Sequence, residues 1–132
     1  MEEAIAAYKK ALQIDLNNAD THNNLGNALK NQGKLEKVIA AYQKALQIDP
    51  NFAIAHNNLA LALSTQGKLE QAITAYQRAL QIDPNYAIAH NNLGNALYAQ
   101  GKLEQAIAAF QRALQIDPNY AIAHNNLGRV IN

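Results

Sequence analysis

AIAHNNLGNALYAQGKLEQAIAAFQRALQIDPNY, residues 87–120, follows a segment at 53–86 that differs from it at only six of 34 places. The same period runs through the whole chain. HNNLGNAL at His22–Leu29 returns as HNNLALAL at His56–Leu63, HNNLGNAL at His90–Leu97 and HNNLGRVI at His124–Ile131. GKLE recurs at Gly33, Gly67 and Gly101, and ALQID at Ala11, Ala45, Ala79 and Ala113. A fixed period of this length marks a stacked-repeat architecture, in which each unit buries its apolar face only against its neighbours.

Within 87–120 the apolar residues fall into two helical stripes. The first holds Ala89, Leu93, Ala96 and Leu97; the second holds Leu103, Ala106, Ile107, Phe110, Ala113 and Leu114. Both follow the spacing of one buried helix face. Gln100-Gly101-Lys102 is a short connection in which the glycine is free to take a positive φ. The pair therefore reads as an antiparallel hairpin. Asp117-Pro118-Asn119 stops the second helix, because the residue before proline is pushed out of the α region. Asn119 is then predicted to cap the next helix, with Asn51 and Asn85 in the same role. The fold class is all-α.

Leu93-Gly94, Leu97, Gly101, Ala106-Ile107, Phe110, Ala113-Leu114 and Pro118 together resemble the signature of the tetratricopeptide repeat, at its 34-residue length. The resemblance divides 1–132 as one solenoid: a second-helix half repeat at 1–18, full repeats at 19–52, 53–86 and 87–120, and a first-helix half repeat at 121–132. There are departures. His22, His56, His90 and His124 stand where a large aromatic is usual; Ala60 replaces a glycine, Val38 an alanine and Leu16 a proline. The family pattern sets Gly26 against Val38, Ala60 against Ala72 and Gly94 against Ala106, so that a larger residue faces a smaller one.

The resemblance implies a right-handed superhelix with the first helices lining a concave surface, a non-catalytic role, and a protein or peptide ligand. Carried onto this chain, the concave places are Ile54, Ile88 and Ile122; Asn23, Asn57, Asn91 and Asn125; Asn24, Asn58, Asn92 and Asn126; then Asn27, Leu61, Asn95 and Arg129, with Lys30 and Tyr98. An amide offers both a donor and an acceptor, so such a ladder can pair with peptide backbone whatever the side chains. It resembles the ladder in the repeat arm of the nucleocytoplasmic glycosyltransferase that modifies Ser and Thr. It is unlike the family's carboxylate-clamp members, since Lys30 and Arg129 are the only basic residues on these places.

Other classes fare worse. Eleven basic residues balance ten acidic ones, which leaves no electrostatic footprint for nucleic acid or an anionic membrane. No apolar run approaches the length of a membrane span and no signal peptide is visible, so a cytoplasmic setting is expected. There is no cysteine, and the four histidines lack the convergent partners of a structural zinc site, so neither metal nor cofactor is expected. They read instead as satisfied, half-buried imidazoles. Ser64 is the one serine, and no nucleophile–base or paired-carboxylate arrangement stands out. Glu36, Glu70 and Glu104 sit where helix starts favour negative charge, and Lys44, Arg78 and Arg112 on a solvated side.

The two half repeats together supply 30 of the 34 places of a repeat, which suggests a chain cut at both ends. Ile5, Tyr8 and Leu12 at one end and Leu127 and Ile131 at the other are the expected self-association residues of a head-to-tail homo-oligomer. Such a contact is heterologous and leads to open filaments unless the rotation closes. Association entropy of about 4–15 kcal/mol offsets most of the burial gain, so the assembly is expected to be weak.

Overall fold

The computed structural model describes residues 2–131, and within them every regular element is a helix: α1 Glu2–Ile14, α2 Ala19–Lys30, α3 Leu35–Ile48, α4 Ala53–Thr65, α5 Leu69–Ile82, α6 Ala87–Ala99, α7 Leu103–Ile116 and α8 Ala121–Ile131. Met1 and Asn132, the outermost residues of the two half repeats, lie outside the described residues. Each helix packs on the next in chain order, most extensively within the hairpins α2–α3, α4–α5 and α6–α7. The chain is an all-α solenoid of helical hairpins.

The hairpin turns depend on glycine. Gly33, Gly67 and Gly101 have φ of 70°, 81° and 79°, a backbone conformation in which a Cβ is strained, and they are the only positive-φ residues described. Between hairpins the chain turns at Asp-Pro-Asn. Asp49, Asp83 and Asp117 leave the helical region, with φ of −129°, −130° and −131°, while their N–H groups still bond the carbonyls of Ala45, Ala79 and Ala113.

The capping expectation at these turns needs correcting. The N–H of Asn51, Asn85 and Asn119 donates to the carboxylate of the aspartate two residues earlier, at 3.1, 3.1 and 3.2 Å. That local turn uses up one more residue, so Phe52 and Tyr86 take the N-cap positions of α4 and α6 without a side-chain cap. A side-chain cap forms instead at α2, where Asn18 Oδ1 accepts from the Thr21 N–H at 3.1 Å.

The core is built from one large ring per hairpin set among small residues. Tyr42, Tyr76 and Phe110 are fully buried, and each such side chain is worth about 1.5–3 kcal/mol of burial. Ala45, Ala55, Ala60, Ala72, Ala79, Ala89, Ala106, Ala113 and Ala123 are also completely buried, which lets neighbouring helix backbones approach. At two of the expected pairs the atoms nearest the glycine belong to a residue other than the one expected. A Cβ at Gly26 would meet the Tyr42 ring at 2.5 Å, and one at Gly94 the Phe110 ring at 2.5 Å; neither Val38 nor Ala106 is among the nearest atoms. The aromatic ring, four residues further along the second helix, occupies the space that glycine leaves. Leu103 also departs from the stripe, 47% exposed where Leu35 and Leu69 pack against the core.

Candidate functional site

First helices lie on the inner side of the stack. α4 touches α6 and α6 touches α8, whereas no second helix meets another second helix to that extent. What these helices turn toward one another is the asparagine pair of each HNN motif. Asn58 Nδ2 donates to Asn23 Oδ1 at 3.1 Å, Asn92 Nδ2 to Asn57 Oδ1 at 3.2 Å, and Asn126 Nδ2 to Asn91 Oδ1 at 2.9 Å. The second asparagine of each repeat thus reaches back to the first asparagine of the repeat before.

This separates two groups that look alike in the sequence. Asn23, Asn57, Asn91 and Asn126 are buried, their amides engaged between repeats, so they are not open rungs for a ligand. Asn24, Asn27, Asn95 and Asn125 are exposed, and Asn58 and Asn92 half-buried. Asn27 Oδ1 accepts from the Tyr42 hydroxyl at 2.5 Å and, more weakly, from Asn58 Nδ2 at 3.4 Å. Arg129 Nη2 donates to Asn126 Oδ1, so one of the two basic residues of this face is already engaged. The Tyr86 and Tyr120 hydroxyls interact with Asn57 and Asn91; burial pushes both phenols up in pKa, and the amide contact pulls the other way.

Beside the amides runs an apolar row. Ile54, Ile88 and Ile122 are 51%, 49% and 58% exposed, and Tyr98 is exposed with them. Sequence reasoning missed a cavity of about 430 Å³ at one edge of this face, between Leu35 and Val38 of α3 and Leu61, Ala62 and Thr65 of α4, with Lys30 at its mouth. The signal was present, since Val38 and Leu61 each break the repeat pattern at their places.

The histidines have a structural task. Nε2 of His22, His56, His90 and His124 lies 2.9, 2.9, 3.0 and 2.9 Å from the carbonyl oxygen of Leu16, Pro50, Pro84 and Pro118. A carbonyl only accepts, so Nε2 carries the proton in each ring. The imidazole ties the first turn of a helix to the turn before it, and Leu16 supplies the same carbonyl as proline. No cluster among the described residues has the His, Cys, Asp or Glu content to hold a metal ion. No helix among them is long and apolar enough to cross a membrane.

Of the self-association residues, Ile5 is buried in the chain's own core and Tyr8 packs against that core half-buried. Leu12 and Leu127 are partly covered, while Ile131 is 63% exposed. Gly128 of α8 has open space where a Cβ would point, unlike its counterparts Gly26 and Gly94.

A stack of two-helix units, closed by glycine turns and tied together by repeating polar bonds, defines a helical-repeat protein. The sequence profile described as TPR repeat matches residues 1–33, 26–67, 63–101 and 94–131. The chain belongs to this tetratricopeptide repeat family. It is similar to the crystal structure of MamA, with a TM-score of 0.87 and 31% identity over 96% of this chain and 74% of that one. The MamA RS-1 ArsTM double mutant gives 0.88 at 26% identity, over 98% and 72%. The first TPR of Spaghetti (RPAP3), solved bound to the HSP90 peptide SRMEEVD, gives 0.83 at 29% identity, over 86% and 90%. No curated protein matches the chain significantly.

Proposed function

We propose that the inner face binds an extended peptide or partner segment. The observation that carries this reading is the row of Ile54, Ile88 and Ile122. Three isoleucines sit about half-exposed, in register, on helices that face one another. Apolar residues repeated in solvent beside exposed amides suit a ligand with its own apolar side chains and free backbone groups. Asn24, Asn27, Asn95 and Asn125, with Asn58 and Asn92 at the edges, supply donors and acceptors to that backbone. Support comes also from the similar RPAP3 repeat domain, which was solved with a peptide bound. Panning a random peptide library against the chain tests the idea, with an Ile54→Ser, Ile88→Ser, Tyr98→Ser variant as the comparison. Recovered peptides should lose at least tenfold in affinity for the variant. Equal affinity for both proteins would overturn the reading.

A second reading concerns self-association, and the space beside Gly128 favours it. Tyr42 and Phe110 cover Gly26 and Gly94 within one molecule, and Tyr8 occupies the matching place on α1. A second copy's α1 docked on α8 would set Tyr8 over Gly128 and shield Ile131. Light scattering of the 132-residue polypeptide at several hundred micromolar should show mass rising with concentration, and Tyr8→Ser should abolish the rise. A strictly monomeric mass would refute it.

A further inference from the structure

A groove of about 450 Å³ lies between α1, α2 and α3, and no asparagine of the amide ladder lines it. Its floor is Ile5, Leu25 and Leu29, and its rim carries Lys9, Lys34, Lys37 and Lys44. No acidic side chain lines it. None of the four ammonium groups is held in an ion pair among the described residues.

The solenoid supplies its own control. One repeat further on lies a groove of about 380 Å³ lined by the corresponding residues, Leu59 and Leu63 for Leu25 and Leu29, and Arg78 for Lys44. There Gln43 and Gln71 stand in place of Lys9 and Lys37. The next repeat has glutamine at both places again, Gln77 and Gln105. In a chain whose repeats are nearly identical, the two lysines that break the pattern on this side converge on one groove. Packing does not call for them, since both are exposed.

We propose that this groove binds an acidic peptide segment carrying an apolar side chain, the carboxylates meeting the lysine rim and the apolar group entering between Leu25 and Leu29. The floor argues for peptide over nucleic acid. It offers aliphatic contact, and the one aromatic ring in its lining, His22, is 6% exposed and tied to the Leu16 carbonyl. The site is independent of the inner face, so the two are separable by mutation.

The test uses a fluorescein-labelled octapeptide, EELEELEE, followed by anisotropy at low salt. Binding should weaken about five- to tenfold in the Lys9→Gln, Lys37→Gln variant, since exposed lysine–carboxylate pairs each contribute modestly. That variant recreates the sister groove, so its fold is preserved. The Ile54→Ser, Ile88→Ser, Tyr98→Ser protein should bind the probe unchanged, and amide resonances of Leu25 and Ala41 should shift while those of Leu59 and Ala75 do not. An octapeptide with serine in place of leucine should bind more weakly. Failure to bind EELEELEE, equal binding by the double glutamine variant, equal binding of the serine peptide, or tighter binding of a single-stranded DNA octamer would each overturn the proposal.

Discussion

Replacing Asn91 with alanine isolates one rung of the amide ladder. Asn91 is 2% exposed and accepts from Asn126 Nδ2 at 2.9 Å. Alanine leaves that buried N–H without its acceptor, at about 1–3 kcal/mol. It also removes the contact with the Tyr120 hydroxyl. Alanine is the better helix former by about 0.5 kcal/mol, so the net loss should be about 1–2 kcal/mol. Asn125 is the control. It occupies the same place in α8, but is exposed and makes no side-chain hydrogen bond among the described residues. Asn125→Ala should therefore stabilise, by about 0.5 kcal/mol from propensity alone. Asn23→Ala should fall between, because it accepts from Asn58 at 3.1 Å but has Phe52 where Asn91 has Tyr120. Urea unfolding followed by circular dichroism gives all three. Equal shifts at the three positions, or stabilisation at Asn91, would show that the ladder bonds contribute nothing net.

Two glycines on matching places of α6 and α8 should respond with opposite sign. Gly94→Leu collides with the Phe110 ring and should lower stability by about 2 kcal/mol or more, whereas Gly128→Ala enters open space and should raise it by about 0.5–1 kcal/mol; thermal melts of the two variants decide. Burial pushes the Tyr42 and Tyr76 hydroxyls up to about 12, from an ordinary value of 10.0. The folded state favours the neutral phenols, so the stability they contribute is intact below pH 10 and is lost as pH rises toward 12. A Tyr42→Phe, Tyr76→Phe protein should lose less stability across that window, as measured by urea midpoints at stepped pH.

Period and helix spacing were enough to place the hairpins, because Gly33, Gly67, Gly101 and the Asp-Pro steps act locally. Asn23 and Asn24 were not separable in the same way. Adjacent residues point about 100° apart on a helix, and which one turns inward depends on where the neighbouring repeat sits. Gly26 was matched with Val38 rather than Tyr42 for a similar reason, since a ring reaches beyond the position of its own Cα. The cap expected at Asn119 failed because the turn closed between its N–H and Asp117 carries the chain one residue further before α8 begins at Ala121. Lys9 and Lys37 were legible as departures from the repeat, but their convergence on one groove required the fold.

Each ladder bond joins residues 35 apart, and each histidine reaches a carbonyl six residues back. No partner in either set belongs to a unique address in the chain. If a gene loses or gains a whole unit through unequal recombination, the asparagines brought together at the join are already matched as donor and acceptor. The number of repeats can therefore drift without new compensating substitutions. Features that do mark a single address, such as Lys9 with Lys37, are the ones such drift would erase or copy.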